Sequence, residues 1–279
     1  MREFSCSNLA RSIMYMHLIS DSKIDLGYHF HDLYEIYFLI SGSVDYFIDR
    51  KIYVLEYGDL LVINNQEIHK PSIKSIDNYE RIIIEFDPSI LSPFCSSDFN
   101  LLGCFVNRQK GEWNRVNLSN DQLNEIHELF KKFESLGDNT SEGADILKFA
   151  YLIELLVFLN KAYSNNSHTE KRLKVPKKVI PILDYIDGNL EDDLTLATIA
   201  ARFYIDKYHL SRMFKNITGI NIHDYILSKR IAEAKQLLLA GRNILDSCQM
   251  SGFRNYTTFI RTFKNIVGML PKDYQKTSH

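Results

Sequence analysis

Four side chains near the N-terminus carry nitrogen and oxygen donors at short, regular intervals. His29 and His31 are followed by Glu35, and His69 comes later in the same apolar region. Alternate residues of an extended strand share a face, so positions 29, 31 and 35 are predicted to project to one side. Three imidazoles and one carboxylate are adequate ligands for iron, manganese, nickel or zinc. The same groups, with Tyr37 beside them, also suit the polar part of a small-molecule site.

The spacing of these residues is similar to the two sequence motifs of the cupin family. The first motif runs His-x-His-x3-Glu-x6-Gly to Gly42, and the second runs Gly-x10-His from Gly58 to His69. The resemblance implies a small β-barrel and, in the metal-binding members, one divalent ion held by the three histidines and the glutamate. The second motif departs from the pattern, because Asn64 and Gln66 stand where proline and glycine are usual.

We therefore favour a structural or effector-facing role for this cluster and assign it no cofactor. The residues assigned to a small-molecule effector are His29, His31, Glu35, Tyr37 and His69. Metal binding by the three histidines and Glu35 is the alternative. We assign no catalytic residue, because no nucleophile with a neighbouring base is visible. A metal-dependent cupin enzyme is the rival interpretation to a non-enzymatic protein.

The region around these residues has the pattern of an antiparallel β domain. Short apolar runs alternate with turn signals such as Ser41-Gly42, Tyr57-Gly58-Asp59 and Asp77-Asn78. The predicted strands are Tyr34–Ile40, Val44–Ile48, Ile52–Leu55, Leu60–Ile63 and Arg81–Phe86. Many short strands at this spacing favour a sandwich or barrel.

Two helices and a polar segment follow the strands. Ser119–Leu136 has apolar residues at helical spacing, with Ser119 or Asn120 as the cap. Ser141–Tyr163 is apolar over much of its surface and needs cover on more than one side. Packing on the barrel and contact with a second copy of the chain are both compatible with that pattern. Residues 164–174 are polar, lack periodicity and are predicted to be a linker.

Composition and charge limit the class of protein. The chain is 45% hydrophobic and 12% aromatic, so it can bury substantial cores, and no N-terminal run resembles a signal peptide. The four cysteines show neither metal-type spacing nor a disulfide framework, which favours a soluble cytoplasmic protein with no membrane partner. Residues 1–175 hold 18 Lys and Arg against 25 Asp and Glu, whereas residues 176–279 hold 15 against 10. Only the C-terminal part has the positive balance expected for a nucleic-acid partner.

The C-terminal part contains an internal repeat. The segment 214–219 recurs as 263–268 with an offset of 49 residues, and Arg212 and Arg261 obey the same offset. Each copy is predicted to be a helix, a tight turn and a second helix. The first helices are Leu196–Arg202 and Ile244–Met250, and a long helix from about Ile222 to Leu239 joins the copies.

The second helix of each copy has one apolar face and one polar face. Leu210, Phe214 and Ile217 lie at helical spacing and are predicted to face the core, as are Phe259, Phe263 and Ile266. The opposite faces present an arginine with small or aromatic neighbours. Arginine can pair with guanine through two hydrogen bonds, and threonine or isoleucine can contact a thymine methyl.

The segment from Leu194 to Tyr274 resembles the DNA-binding domain of the AraC/XylS family of bacterial regulators. The resemblance rests on the Leu-Ser-Arg-Met-Phe-Lys run at 210–215, the Gly252-Phe253 turn, and the ending Gly268, Pro271 and Tyr274. Tyr204 departs from it, at a turn position that is often glycine. The resemblance implies base contacts by Tyr208, Ser211 and Arg212 and by Thr257, Ile260 and Arg261. It also implies that the two units occupy successive major grooves on one face of DNA.

These inferences combine into one expected organisation of class α+β. It comprises a cupin-like β-barrel sensor domain with accessory helices (residues 1–100), a helical dimerisation segment (101–163), a linker (164–175) and an all-α tandem helix-turn-helix domain (176–279). The full set of predicted DNA-binding residues is Lys207, Tyr208, His209, Ser211, Arg212, Lys215, Arg254, Asn255, Tyr256, Thr257, Ile260, Arg261 and Lys264. The expected partners are double-stranded DNA, a small effector with a sugar as the first choice, a second copy of the chain, and RNA polymerase as a further candidate.

Overall fold

In the computed structural model, the N-terminal part of the chain is an antiparallel sheet covered by helices, and the C-terminal part consists of helices alone. This arrangement confirms the predicted α+β class, with a sheet-rich N-terminal region and an all-α C-terminal region. None of the helices in the described part of the chain is long and apolar enough to cross a bilayer. The structure describes residues 12–20, 33–94, 99–109, 111–137, 143–164, 173–174 and 177–276.

The strands form one antiparallel sheet. Numbered in chain order, they are β1 (Ile13–Ser20), β2 (Tyr34–Ile48), β3 (Lys51–Leu55), β4 (Leu60–Ile63), β5 (His69–Phe86), β6 (Arg115–Val116) and β7 (Leu173–Lys174). The order along the sheet is β1-β5-β2-β3-β7, and β4 pairs with β2 and with β6. β2 and β5 pair from Tyr34 opposite Phe86 to Ile48 opposite His69. The two long strands therefore carry most of the residues of the candidate effector site.

The sequence-based strand boundaries need one correction in β2 and one in β5. The predicted break at Ser41-Gly42 is wrong, because the strand continues through it with register shifts between Leu39 and Val44. Gly42 has φ +108, a conformation that lets the chain bulge without leaving the sheet. The predicted break at Asp77-Asn78 also falls inside β5. The prediction for Leu60–Ile63 is confirmed.

Both faces of β2 are covered. Ile36 and Phe38 join the buried cluster that includes the helices outside the sheet, whereas Tyr37 and Leu39 join a second cluster on the other face. A strand with both faces covered has a nearly continuous apolar sequence, and Tyr34–Ile40 has one. Each large side chain that is fully buried contributes about 1.5–3 kcal/mol to stability.

Helices cover the sheet and build the C-terminal region. Besides a 3₁₀ helix at Pro88–Phe94, they are α1 (Gly103–Val106), α2 (Asn120–Leu136), α3 (Ala144–Ser164), α4 (Ile180–Gly188), α5 (Leu196–Arg202), α6 (Lys207–Thr218), α7 (Ile222–Leu239), α8 (Ile244–Met250), α9 (Tyr256–Val267) and α10 (Pro271–Lys276). The predicted cap of α2 is confirmed, because the Gln122 backbone N–H donates to Ser119 Oγ at 3.3 Å. The Ser119 N–H donates in return to Gln122 Oε1 at 2.9 Å, which completes a capping box.

The apolar surface of α3 packs inside the N-terminal region. Phe149, Leu152 and Leu156 are buried in the cluster shared by the sheet and α2. Of the two explanations for its apolar sequence, packing on the sheet is therefore present. Contact with a second copy of the chain stays a prediction.

The end of the predicted linker is tied to the sheet edge. β7 pairs with Ile52 and Tyr53 of β3, and Lys174 Nζ lies 3.0 Å from Asp45 Oδ2. Residues 165–172 and 175–176 lie outside the described residues. Lys174 and Asp45 thus join the segment before α4 to the sensor sheet.

Candidate DNA interface and effector site

Two helix-turn-helix units stand at the predicted positions. In the first unit, α5 and α6 are joined by residues 203–206, and the Ile205 N–H donates to Ala200 O at 3.0 Å. In the second, α8 and α9 are joined by residues 251–255, and the Phe253 N–H donates to Cys248 O at 3.0 Å. Both turns use the same backbone hydrogen bond across five residues. The second turn has one residue more than the first.

The recognition helix of the first unit, α6, begins after an aspartate cap and ends at a left-handed glycine. Asp206 Oδ1 accepts hydrogen bonds from the N–H groups of Tyr208 and His209, both at 3.0 Å. Gly219 ends the helix with φ +75. Leu210 and Phe214 are fully buried, whereas the third predicted core residue, Ile217, is only half-buried. The buried face fixes which side chains point outward.

The recognition helix of the second unit, α9, has the same construction. Asn255 Oδ1 accepts from the Thr258 N–H at 2.8 Å, and Gly268 ends the helix with φ +83. Phe259 and Phe263 are fully buried, and Ile266 is half-buried. The two helices therefore turn equivalent positions outward.

The predicted DNA-binding side chains lie on those two helices, except Arg254 and Asn255, which lie in the turn before α9. Tyr208 is 72% exposed and Tyr256 46%, and Ser211 and Ile260 are half-buried. The other predicted residues are exposed: Lys207, His209, Arg212, Lys215, Arg254, Asn255, Thr257, Arg261 and Lys264. Asn255 also has a structural task, since its side-chain oxygen caps α9.

A cleft of about 680 Å³ separates the two units. Ser211 from α6 and Thr258 from α9 both line it, together with Arg230 and Arg254. The recognition helices therefore flank a common opening with cationic groups beside it.

Two features of this region were missed by sequence reasoning. Gly252 packs so closely that an added Cβ would lie 1.9 Å from Leu190 O, and Arg230 Nε donates to the same oxygen at 2.9 Å. Lys229 is buried on α7, where the sequence suggests a solvated charge. Its position one turn after Tyr225, on the buried side of the helix, is the signal that could have identified it.

Three of the five predicted effector residues are buried in one cluster, in which Glu35 and His69 share a hydrogen bond and the Tyr37 ring contacts that of Tyr46 at a centroid distance of 4.8 Å. Glu35, Tyr37 and His69 are each 3% exposed or less. The Tyr46 hydroxyl donates to Glu35 Oε1 at 2.9 Å, and His69 Nε2 lies 3.2 Å from Glu35 Oε2. Tyr37 bonds to the Tyr79 hydroxyl at 2.9 Å. Sequence reasoning missed the two additional tyrosines, which come to the cluster from beyond the bulge in β2 and from the far part of β5.

The protonation state of His69 follows from its two partners. Nδ1 lies 2.9 Å from the backbone oxygen of Glu67, and Nε2 faces the Glu35 carboxylate. Burial opposes the positive charge, but Glu35 and the Glu67 carbonyl outweigh it and raise the pKa of His69. Burial also raises the pKa of Tyr37 and of Tyr46 well above the ordinary value, so both keep their hydroxyl protons. The pairing with Glu35 thus favours the protonated form of His69, among hydroxyls that keep their protons.

The remaining two effector residues, His29 and His31, lie outside the described residues. Within the described part of the chain no group of three His, Cys, Asp or Glu side chains could hold a metal ion. The four-ligand metal hypothesis includes both of these histidines, so it stays a hypothesis.

The chain matches two family models. Residues 17–156 match the AraC-like ligand binding domain, and residues 199–277 match a helix-turn-helix domain. The first match alone spans half of the chain. Together they cover most of the sheet-rich region and most of the two helix-turn-helix units.

Known proteins resemble different parts of the chain. The multiple antibiotic resistance protein MarA of Escherichia coli is 39% identical over 98 residues, which are 35% of this chain and 77% of MarA. An HTH-type transcriptional regulator of Staphylococcus aureus is 22% identical over 241 residues, or 85% of this chain. The aligned part is 31% of that relative, so the chain spans about a third of its length. The structure of ToxT from Vibrio cholerae bound to an unsaturated fatty acid is 18% identical, covers 99% of this chain and 97% of ToxT, and has a TM-score of 0.37.

Proposed function

Because the chain belongs to the AraC family of transcription regulators, we propose that it binds a two-part DNA site under the control of a small effector. The observation that carries this proposal is the equivalence of α6 and α9. Each helix buries two apolar side chains and exposes an arginine at the same offset, Arg212 in one and Arg261 in the other. The proposed regulator uses no catalytic residue.

We assign two kinds of contact to the exposed residues. Arg212 and Arg261 contact base edges, with Tyr208 and Ser211 beside the first and Thr257 and Ile260 beside the second. Phosphate contacts then strengthen binding without reading sequence. The residues assigned to phosphates or to the edges of the interface are Lys207, His209, Lys215, Arg254, Asn255, Tyr256 and Lys264.

The test is a comparison of three arginine variants on a DNA site selected from a random pool. Arg212→Ala and Arg261→Ala should each weaken specific binding about 10- to 100-fold, because one bidentate pair is worth about 1–3 kcal/mol. Arg242→Ala is the matched control, since Arg242 is exposed but belongs to neither recognition helix. Fluorescence anisotropy measures affinity, and circular dichroism checks the fold. Folded Arg212 and Arg261 variants with the affinity of the control would contradict the proposal.

For the effector we propose a small polyhydroxylated molecule, with a sugar as the first choice. The support is chemical: a carboxyl group, an imidazole and three tyrosine hydroxyls lie together in Glu35, His69, Tyr37, Tyr46 and Tyr79. A thermal-shift screen of sugars against aliphatic carboxylic acids distinguishes this class from an apolar one. A sugar that stabilises the wild-type protein but not Glu35→Gln supports the assignment, and stabilisation by the carboxylic acids alone contradicts it.

The proposed regulator acts in the cytoplasm as a homodimer that recruits or excludes RNA polymerase. Residues 101–163 are the proposed dimer contact, since Ile146 and Leu147 stay exposed on α3. Sedimentation equilibrium of the wild-type chain and an Ile146→Lys, Leu147→Lys variant tests this contact. A dimer that survives both substitutions places the contact elsewhere.

A further inference from the structure

The turn between β2 and β3 sits against the DNA-binding region. Asp49 and Arg50 form this two-residue turn, and Asp49 adopts φ +48, which aspartate tolerates in such turns. Phe47 before the turn and Ile68 before β5 are buried in the same apolar cluster as the helices of the first helix-turn-helix unit. One edge of the sensor thus shares a core with that unit.

A buried ion cluster lies beside this shared core. Lys229 Nζ on α7 lies 3.1 Å from Asp49 Oδ1 of the sensor and 3.1 Å from Asp187 Oδ2 of α4. The Lys229 side chain is 8% exposed and that of Asp49 is 3% exposed. At the rim, Arg50 pairs with Asp187 at 3.1 Å and with Asp184 at 2.8 Å. Charges buried in this way contribute little net stability while paired, but removing one partner is costly.

A second contact joins the sensor to the end of the first recognition helix. Lys70 Nζ donates to the backbone oxygen of Gly219 at 2.9 Å. The aliphatic part of the lysine packs there as well, because a Cβ added to Gly219 would lie 2.9 Å from Lys70 Cδ. The sensor therefore holds both the helix end and the helix that follows it.

The sensor residues that make these contacts are next in sequence to residues at the candidate effector cluster. His69 faces the inside of the sensor with Glu35, whereas its neighbour Lys70 faces the first unit. The Asp49 N–H donates to Ile68 O at 2.8 Å, and Ile48 pairs with His69. Movement of the Glu35–His69 pair would therefore reach Asp49 and Lys70, two of the sensor residues that contact the DNA-binding region.

We propose that Asp49, Lys70, Asp187, Gly219 and Lys229 form a latch through which occupancy of the Glu35–His69 cluster controls the first helix-turn-helix unit. This inference rests on the proposed function, because it gives the effector site its route to DNA. An effector that rearranges Glu35 and His69 opens the latch and releases the first unit from the sensor. The recognition face of α6 is already exposed in the latched state. Opening the latch therefore changes how freely the first unit moves relative to the sensor, and does not change how well α6 can reach DNA bases.

Hydrogen exchange of the full chain, without DNA or effector, measures the latch directly. Lys229→Met removes the lysine partner of buried Asp49, leaves Asp187 paired with Arg50 only at the rim, and should raise exchange in segments 47–54 and 219–226 by about tenfold or more. Lys235→Met is the matched control, since Lys235 is equally buried on the same helix but lies over the Tyr274 ring. Asp49→Asn keeps the shape of the turn and should give a smaller increase in the same two segments.

The link to the effector cluster is tested by Glu35→Gln and His69→Gln. Both should raise exchange in segment 219–226, which lies in the other domain, and leave segment 259–268 of α9 unchanged. The latch is overturned if Lys229→Met and Asp49→Asn match the Lys235→Met control in both segments. The route from the cluster is overturned if Glu35→Gln and His69→Gln loosen only the sensor. Because no DNA is present, these outcomes are independent of the arginine test of DNA binding.

Discussion

The two helix-turn-helix units share a local design but differ in what surrounds them. At the left-handed position of the turn, Tyr204 (φ +55) is 97% exposed, whereas Gly252 (φ +87) faces Leu190 O. At the end of the recognition helix, Gly219 lies against Lys70 of the sensor, whereas no atom lies within 4 Å of a Cβ added to Gly268. The two units thus share a backbone conformation, and the atoms around each position decide which side chains it can accommodate.

The largest expected difference between the units lies at this turn position. Gly252→Ala places a methyl group where Leu190 O already lies and should cost about 4 kcal/mol or more of unfolding free energy. Tyr204→Gly in the first unit should stabilise by about 1 kcal/mol or less, because it relieves a left-handed tyrosine that is exposed. Urea denaturation followed by circular dichroism measures both. Equal changes of the same sign would show that the surroundings of the two turns are equivalent.

The next difference concerns DNA sequence preference. The first unit presents Tyr208 and Ser211 beside its arginine, and the second presents Thr257 and Ile260. A Tyr208→Thr, Ser211→Ile variant should make the two half-sites more alike, shifting base preference by about 1–3 kcal/mol per altered base pair. Selection from a random DNA pool, with the wild-type chain in parallel, measures the shift. The base preference should change in the half-site bound by the first unit. A change only in the half-site assigned to the second unit would contradict the assignment.

A third difference lies at the two helix ends. Gly219→Ala and Gly268→Ala each place alanine in a left-handed conformation, at a cost of about 1 kcal/mol. Gly219→Ala should cost more, because its methyl group also meets Lys70. In a double-mutant cycle, Lys70→Ala should remove that excess and leave the cost of Gly268→Ala unchanged. If the two glycine variants cost the same and Lys70→Ala has no effect, the sensor does not restrain the first unit there.

The sequence predicts features that depend on neighbouring residues and misses those that depend on distant ones. Ser119 caps α2 as predicted, and Asp206, Gly219 and Gly268 bound the recognition helices by the same local chemistry, because caps and left-handed ends depend on neighbouring residues. The prediction that a strand ends at Ser41-Gly42 is wrong, because a bulge inside a long strand has the same local residues as a turn. The bulge is recognisable only from the pairing partner in β5.

The candidate sites divide in the same way. The outward faces of α6 and α9 could be predicted from helical spacing alone, whereas the ion pairs of Lys229 could not. Its partners Asp49 and Asp187 lie 180 and 42 residues away along the chain. The interior position of Tyr79 beside Tyr37 likewise depends on β2–β5 register. Long-range pairings of this kind leave no periodic signal in the sequence.

The smallest expected effect is a pH dependence confined to the first unit. Glu35 raises the pKa of His69 against the effect of burial, so the folded state binds the proton more tightly than the unfolded state. The stabilisation is fully present below the unfolded pKa of about 6.5 and is lost as the pH rises through the folded pKa. Raising the pH through that range should therefore weaken the Glu35–His69 pair, and the adjacent Lys70 should hold Gly219 less firmly.

Hydrogen exchange at several pH values, corrected for the intrinsic pH dependence of exchange, tests this effect. Protection of segment 219–226 should fall relative to segment 259–268 as the pH rises, and His69→Gln should abolish the difference. His209→Gln is the control, because His209 is exposed on α6 and belongs neither to the latch nor to the Glu35–His69 cluster. Equal loss of protection in both segments would mean that the pH acts on the whole DNA-binding region. The sensor would then not be the cause of the difference between the two units.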